Sequence, residues 1–262
     1  MSCTTPLQPF LKWVGGKRLQ VKTLETYLPP QFNHYYEPFL GGGALFFHIQ
    51  PKNASLSDIN ENLIGTYQAI KYHLSELLPK LQSHQEQHSK DYYYIQRERF
   101  HTEHDPISKA ALFIYLNKTG YNGLYRVNKQ GKFNVPVGSY AHPKIFDESH
   151  LKAIHNILQS VSLTAHSFED TPIQKGAFYY LDPPYHQTFD GYSRHGFGEE
   201  QQRKLAAFCH TLHQVGAYFL MNNADTGLVR ELYGRYKITK MEYRSMVGQK
   251  RQVKNKVLAW NY

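Results

Sequence analysis

The sequence predicts an α/β fold in which both ends of the chain contribute strands to one sheet and a mainly helical segment is inserted between them. After a short loop and a first helix, the chain continues with a strand, a glycine-rich turn, a helix and a second strand. Strand signals return only after residue 160, and the stretch between is mostly helical and rich in tyrosine. We therefore expect a discontinuous domain, residues 1–62 and 160–262, and an inserted domain, residues 63–159, that carries a β-hairpin.

The individual elements follow from local patterns. A first helix is predicted over Arg18–Tyr27, and Pro29-Pro30 end it because proline lacks an N–H and disfavours a helix in the residue before it. The opening unit is predicted as strand Tyr35–Glu37, helix Ala44–Ile49 and strand Ala54–Ser57 ending on Asp58, with Asn60 or Asn62 as the next helix cap. Later strands are predicted at Val161–Ala165, Ala177–Leu181, Ala217–Met221, Tyr236–Met241 and Val257–Trp260. The order of the opening unit is typical of nucleotide-binding βαβ structures.

Composition and charge narrow the class of protein. The net charge of +9 favours a polyanionic partner, nucleic acid first and an anionic membrane surface second. Cys3 and Cys209 provide neither a disulfide framework nor a cysteine-rich zinc site, and no signal peptide or membrane-spanning apolar run is evident. His84 and His88 have the spacing of a metal pair, but a solvated helix face is the favoured interpretation. We expect a soluble cytoplasmic protein without a metal.

The sharpest chemical signal is Asp182-Pro183-Pro184-Tyr185, which directly follows the apolar strand ending at Leu181. An adenine amino nitrogen is a poor nucleophile because its lone pair is delocalised into the ring. A carboxylate and a backbone carbonyl can accept its two N–H bonds and localise that lone pair, and an aromatic ring can stack on the flipped base. These residues are the candidate catalytic group. A proline-stiffened turn is the structural alternative.

Glycines follow the first strand in Glu37-Pro38-Phe39-Leu40-Gly41-Gly42-Gly43. They allow a ligand to approach the backbone closely at the start of a helix, although Phe46 stands where a dinucleotide fingerprint requires a third glycine. Asp58 lies 17 residues after Gly41, a spacing that suits a carboxylate bonded to ribose hydroxyls. The pattern indicates an adenosine ligand or, alternatively, a glycine turn with a solvated acid.

A second glycine turn lies near the N-terminus, in Trp13-Val14-Gly15-Gly16-Lys17. It is not a phosphate-binding P-loop, because the first glycine is absent and Arg18 replaces the required Ser or Thr. An indole and an ammonium beside such a turn could hold an amino-acid carboxylate. A turn with an exposed lysine is equally consistent with the sequence.

The turn-rich segment Asn117–Tyr140 interrupts the helical middle and predicts a β-hairpin around Asn128–Gly131. A tight loop would present Tyr121, Leu124 and Arg126. An arginine fork can bind guanine in the major groove, and an aromatic ring can wedge into a base stack. A plain structural hairpin is the alternative.

Taken together and in this order, the motifs resemble those of the Dam-type DNA adenine-N6 methyltransferases over nearly the whole chain. The matching segments are Lys-Trp-x-Gly-Gly-Lys, Glu-Pro-Phe-x-Gly, Ser-Asp-Ile-Asn, Gly-Tyr-Asn-Gly-Leu-x-Arg, Phe-Asn-Val-Pro and Asp-Pro-Pro-Tyr. The resemblance implies a Rossmann-like class I methyltransferase sheet with an inserted, mainly helical target-recognition domain. It also implies S-adenosyl-L-methionine as methyl donor and a short duplex DNA site, with GATC expected.

The resemblance assigns roles to particular residues. Together with the glycine segment it makes the candidate cofactor-binding residues Trp13, Lys17, Glu37, Phe39, Gly41, Asp58 and Asp182. The candidate DNA-binding residues are Lys12, Tyr121, Asn122, Leu124, Arg126 and Pro136, with Tyr121 and Asn122 filling the gap left by the flipped base. The loop from His186 to Glu199 departs from the family pattern. A cognate restriction endonuclease is a possible partner.

Other functions remain open at this stage. The acceptor motif is shared by amino-nitrogen chemistry, so methylation of cytosine N4, RNA or a protein amide is an alternative. A catalytically silent DNA-binding module is another. Aspartate at position 182 and the inserted hairpin favour adenine in DNA.

Overall fold

The structure is a computed structural model that describes residues 6–140, 142–186, 197–247 and 250–262, with residues 242–254 described by their backbone alone. Most of the loop from His186 to Glu199 therefore lies outside the described residues. The strands are β1 Tyr35–Glu37, β2 Ala54–Asp58, β3 Val161–Ala165, β4 Phe178–Leu181, β5 Tyr218–Ala224, β6 Lys237–Val247 and β7 Lys250–Trp260.

Along the chain, helices separate most of these strands. They are α1 Val21–Glu25, α2 Ala44–Ile49, α3 Glu61–Tyr72, α4 Leu74–Glu86, α5 Lys90–Thr102, α6 Pro106–Thr119, α7 Glu148–Leu158, α8 Glu199–Gln214 and α9 Gly227–Tyr233. Asn60 caps α3 by accepting from the backbone N–H of Leu63 at 3.2 Å, as the sequence predicted. Within the described ranges no helix is both long and apolar enough to cross a membrane.

The strands form one seven-stranded sheet in the order β3-β2-β1-β4-β5-β7-β6. The first five are parallel, and β7 runs antiparallel between β5 and β6. Strand order reverses between β1 and β4. In open α/β sheets such a reversal creates a crevice at the carboxyl ends of the strands, where ligands bind.

Both faces of the sheet are covered, as expected for a mainly parallel sheet. On one face Tyr35, Phe178 and Tyr180 belong to a core that continues into the helices of the middle of the chain. On the other face Tyr179 and Leu181 pack with α8 and α9. This double burial explains why β4 is apolar at every position.

Several predicted elements differ in extent from the structure. The strands predicted at Tyr236–Met241 and Val257–Trp260 are the longer β6 Lys237–Val247 and β7 Lys250–Trp260. The first helix begins at Val21 and not at Arg18, because residues 17–20 form a turn closed by a bond from the Gln20 N–H to the Lys17 carbonyl. The predicted hairpin strands reduce to one bridge between Val127 and Phe133. The Asn128 side chain explains this, since it accepts from two backbone N–H groups of the turn and replaces ladder bonds there.

The solvated-face interpretation of His84 and His88 was wrong for His84. His84 is buried, stacks on the Tyr115 ring at 5.0 Å and hydrogen-bonds the Tyr92 hydroxyl. Burial lowers the pKa of His84 to about 4, and the nearby cations act in the same direction. It is a neutral core histidine at neutral pH.

Candidate active site

Three acidic residues meet at the carboxyl edge of the sheet. Glu37 ends β1, Asp58 ends β2 and Asp182 follows β4 directly. The alternation of side chains along the strands places Glu37, Tyr180 and Asp182 on the same face of the sheet as Tyr35. The structure thus brings together the acids that the sequence placed at strand ends.

Asp182 is held by two side chains. Lys17 forms an ion pair with its Oδ2 and also donates to the Gly15 carbonyl at 2.6 Å. Tyr185 donates from its hydroxyl to Oδ1 at 3.2 Å. Because Lys17 is buried, this contact fixes the carboxylate far more firmly than a surface pair would. The exposed-lysine alternative for the glycine turn of Trp13–Lys17 is therefore wrong.

The Tyr185 ring lies among cations. The Nζ atoms of Lys17 and Lys256 are 5.2 Å and 4.7 Å from its centroid, within the range of cation–π attraction. Lys256 reaches this place from β7 and is buried. The ring is therefore held beside Asp182 by contacts from the N-terminal segment and from the last strand.

Glu37 is a buried carboxyl that accepts from the Tyr35 hydroxyl at 2.7 Å. Its pKa is raised to about 8: burial is the main cause and the Asp182 charge acts in the same direction, whereas the Tyr35 bond and the Lys17 ammonium act against the shift. A carboxyl group at a strand end that is mostly protonated at neutral pH can ionise when a cationic ligand group binds beside it. Such perturbed groups are concentrated at functional sites.

Asp58 orders the glycine turn. Its Oδ2 accepts from the Gly41 N–H and its Oδ1 from the Asn60 N–H, both at 3.0 Å. Burial raises its pKa, and these backbone bonds act against that shift. The next residue, Ile59, is 67% exposed although apolar. A strand-end carboxylate beside an uncovered aliphatic side chain has the chemistry required to hold a ribose and an adenine ring.

Trp13 covers the glycine turn. A Cβ atom on Gly41 would lie 2.7 Å from the indole ring, so only glycine fits there. The indole ring also stacks on the rings of Tyr125 and Phe113, with centroid distances of 5.8 Å and 6.4 Å. Trp13 therefore joins the N-terminal segment, the sheet edge and the inserted segment.

Phe39 occupies a different place from the other candidate cofactor residues. It stacks on Phe168 at 5.4 Å and meets the edge of Phe197 at 5.7 Å. These rings belong to the core cluster of the opposite sheet face. The structure does not bring Phe39 into contact with the Lys17 and Asp182 pair.

The candidate DNA loop is attached to the N-terminal segment through Asn117. Its side chain accepts from the Lys12 N–H at 2.9 Å and donates to the Lys12 carbonyl at 2.7 Å. Gly123 has a positive φ, and a Cβ there would lie 2.3 Å from the Lys12 side chain. Lys12 itself donates to the Lys118 carbonyl and lies over the Tyr140 ring.

The same loop presents its other candidate residues outward. Asn122 adopts a left-handed conformation, and Tyr121, Asn122 and Pro136 are exposed, whereas Leu124 is half-buried. Arg126 is exposed and donates to Asn134, at 2.8 Å to the side-chain oxygen and at 3.2 Å to the carbonyl. The loop forms a raised surface whose side chains are available to a partner.

Sequence reasoning missed three polar residues of this site: Gln202, Asn223 and Lys256. They are buried and contact the Pro184–His186 backbone or the Tyr185 ring. None lies in a motif, and an amide in a helix or strand carries no local signal. A buried lysine or glutamine can be identified only once the fold shows what surrounds it.

An open α/β sheet with acids at the carboxyl ends of its strands is an arrangement in which nucleotides commonly bind, and the exposed loop beside it is accessible to a large partner. Residues 13–247 match the sequence profile of the D12 class N6 adenine-specific DNA methyltransferases. The chain belongs to this family.

Similar proteins agree with this assignment. The chain is 35% identical to the type II methyltransferase M1.LlaDCHI of Lactococcus lactis subsp. cremoris over 96% of this chain and 93% of the relative. It is 36% identical to the type II methyltransferase M.MjaIII of Methanocaldococcus jannaschii, with 93% and 94% covered. It is 34% identical to the DNA adenine methylase of Escherichia coli K12, with 95% and 92% covered.

The protein is thus an adenine-specific DNA methyltransferase with DNA as substrate and S-adenosylmethionine as methyl donor. The sequence-based expectations of family, fold class, enzyme type and donor are confirmed. The donor supplies a sulfonium-bound methyl group. Asp58, Ile59 and the glycine turn fit its adenosine part by their chemistry, as described above.

Proposed function

We propose that the enzyme methylates N6 of a flipped adenine in a short duplex site, with GATC as the site to test. The loop from Tyr121 to Arg126 carries this proposal, because Tyr121, Asn122 and Arg126 are exposed and Asn117, just before the loop, is bonded to the segment that leads to Lys17. Residues 63–159 serve as the target-recognition domain and residues 1–62 and 160–262 as the catalytic domain. The resemblance to Dam-type enzymes supports GATC, since Lys12, Leu124, Arg126 and Pro136 match their base-facing positions.

In this proposal the loop after β4 performs the chemistry. Asp182 accepts one N–H of the adenine amino group and the Pro183 carbonyl accepts the other, which localises the lone pair towards the methyl group. Lys17 and Tyr185 each engage one Asp182 oxygen, and each oxygen retains a lone pair for the base. Pro184 keeps the carbonyl direction rigid, and the Tyr185 ring stacks on the base. Positioning and electrostatic stabilisation of the developing positive charge lower the barrier.

The donor is held on the other side of Asp182. Asp58 accepts from ribose hydroxyls, Gly41 allows close approach, and Trp13 and Lys17 face the amino-acid end. Glu37 and Phe39 complete the proposed cofactor-binding set. Tyr121 and Asn122 fill the gap that the flipped base leaves in the duplex.

The enzyme is proposed to act in the cytoplasm, where its DNA substrate would be. A cognate restriction endonuclease for the same site is the proposed partner, because two similar proteins are named type II methyltransferases. Digestion of DNA from expressing cells with endonucleases of known site tests which sequence the enzyme methylates, the site that such a partner would share. Protection from cleavage at GATC, and at no other site, is the expected result.

Methyl transfer from labelled donor to defined duplexes tests the function directly. The wild type should label N6 of adenine in a GATC duplex, and Asp182→Ala should lose more than about 10-fold, equivalent to ~1.4 kcal/mol. Asp170→Ala, an exposed aspartate outside the site, is the matched control. Label found in cytosine, RNA or protein would refute the proposed substrate. Asp182→Ala retaining near wild-type turnover would refute the catalytic assignment.

A further inference from the structure

Two buried side-chain amides hold the catalytic loop, which we define as residues Asp182–His186. Gln202 of α8 donates from Nε2 to the Pro184 carbonyl at 3.0 Å and accepts at Oε1 from Asn223 Nδ2 at 2.8 Å. Asn223 of β5 accepts at Oδ1 from the backbone N–H of His186 at 3.2 Å. Both amides are 0% exposed. They form a continuous chain of hydrogen bonds from the Pro184 carbonyl to the His186 N–H.

The prolines explain why the loop needs side-chain partners. Pro183 and Pro184 have no N–H, so this stretch cannot continue the hydrogen-bond ladder of β4. A buried carbonyl or N–H without a partner costs about 1–3 kcal/mol. The amide pair supplies the loop with one donor and one acceptor from two different elements.

The two anchored groups lie on either side of Tyr185. The Pro184 carbonyl belongs to the peptide plane before Tyr185, and the His186 N–H belongs to the plane after it. Fixing both planes fixes the backbone torsions of Tyr185 and hence the direction in which its ring leaves the chain. Through the rigid diproline the same restraint reaches the Pro183 carbonyl.

We propose that Gln202 and Asn223 are positioning residues for methyl transfer. They do not touch the reacting atoms; they set the direction of the Tyr185 ring and of the Pro183 carbonyl. This inference rests on the proposed catalytic role of the loop. Catalysis is sensitive to such placement, since a displacement of about 1 Å can lower the rate about 100-fold.

Isosteric charge variants test the proposal. Gln202→Glu removes the donor to the Pro184 carbonyl, and Asn223→Asp removes the donor to Gln202, so each sets acceptor against acceptor. We expect kcat to fall about 10- to 100-fold while KM for S-adenosylmethionine stays within about 2-fold. The fluorescence of 2-aminopurine at the target position should also change in the enzyme–DNA complex, because base stacking on Tyr185 is altered. The double variant should lose little more than the worse single variant.

Matched variants separate positioning from other roles. Gln214→Glu changes the same residue type on the exposed end of α8 and should leave all these quantities unchanged. If thermal unfolding shows that Gln202→Glu does not fold, Gln202→Met is tested in its place, because it removes the same donor without adding a charge. A normal kcat in folded Gln202→Met and Asn223→Asp would overturn the inference, and so would a loss explained entirely by the unfolded fraction. Asp182→Asn tests the proposed catalytic role of the loop separately from the positioning role of the two amides. If this variant retains turnover, the proposed catalytic role of the loop is refuted.

Discussion

Lys17 and Asp182 are ion-paired in the candidate active site although they lie 165 positions apart in the chain. The Lys17 side chain is 3% exposed and that of Asp182 is 17% exposed. The pair closes the N-terminal segment over the carboxyl end of β4. The ion pair thereby joins a proposed donor-binding residue to the proposed catalytic carboxylate. Breaking the pair should therefore impair donor binding and methyl transfer together.

Lys17→Met is expected to lower both stability and turnover. Removing one partner of a buried pair leaves the other charge uncompensated, which costs on the order of 3–5 kcal/mol where burial is complete and less here because Asp182 is partly exposed. Urea unfolding and methyl-transfer assays measure the two effects. Affinity for S-adenosylmethionine should fall as well.

The double variant Lys17→Met/Asp182→Asn distinguishes the causes. Removing both charges leaves neither uncompensated, so stability should recover towards wild type while turnover stays lost. Lys22→Met, an exposed lysine of α1, serves as the control for loss of charge alone. Turnover that recovers along with stability would show that Asp182 has only a structural role.

The buried Glu37 carboxyl should make the free energy of unfolding depend on pH. Because its pKa is raised from 4.5 to about 8, the folded protein holds the proton more tightly than the unfolded chain does. The resulting stabilisation is fully present below the unfolded pKa and is lost as pH rises towards the folded pKa, with a slope of at most about 1.4 kcal/mol per pH unit.

Glu37→Gln should remove this dependence. Urea unfolding at about pH 5 and about pH 9 should show a smaller loss of stability in the variant than in the wild type. Glu200→Gln on the exposed face of α8 should keep the wild-type profile. An unchanged slope in Glu37→Gln would mean that other groups titrate in this window.

Much of the site was predictable because its residues stand where strands end. Glu37 and Asp58 end parallel strands and Asp182 directly follows one, and parallel strands bring such positions to one edge. The partners of these residues were not predictable in the same way. Gln202 and Asn223 act through bonds to residues 18 and 37 positions away. His84 was misjudged because a polar segment can still bury one ring against Tyr115.

DNA affinity should depend strongly on salt. The chain carries a net charge of +9, and a family member must neutralise phosphates along its duplex. With about 5 phosphate contacts, log Kd against log salt should change with a slope of roughly 4 to 5. Filter binding or fluorescence anisotropy at several salt concentrations measures it. A slope near zero would contradict an electrostatic mode of binding.

Arg126→Ala should relax recognition of the base pair next to the target adenine. The guanidinium lies on the exposed loop and is oriented by two bonds to Asn134. A bidentate contact from such a fork to guanine O6 and N7 discriminates against other bases by about 1–3 kcal/mol. Methylation rates on four duplexes that differ only at the first position of the site measure this discrimination.

Asn134→Ala provides the matched test of that orientation. It keeps the arginine but removes the side-chain acceptor 2.8 Å from its Nε, so the fork is held only by the bond to the Asn134 carbonyl at 3.2 Å and is less well ordered. Discrimination at the first position should fall by less than in Arg126→Ala, because the bidentate contact can still form at the cost of ordering the side chain. Lys129→Ala on the hairpin turn should weaken all four duplexes equally or not at all, since phosphate contacts carry no direct sequence information. If Arg126→Ala also lowers all four rates equally, Arg126 contacts the DNA backbone or supports the loop, and GATC loses its main support.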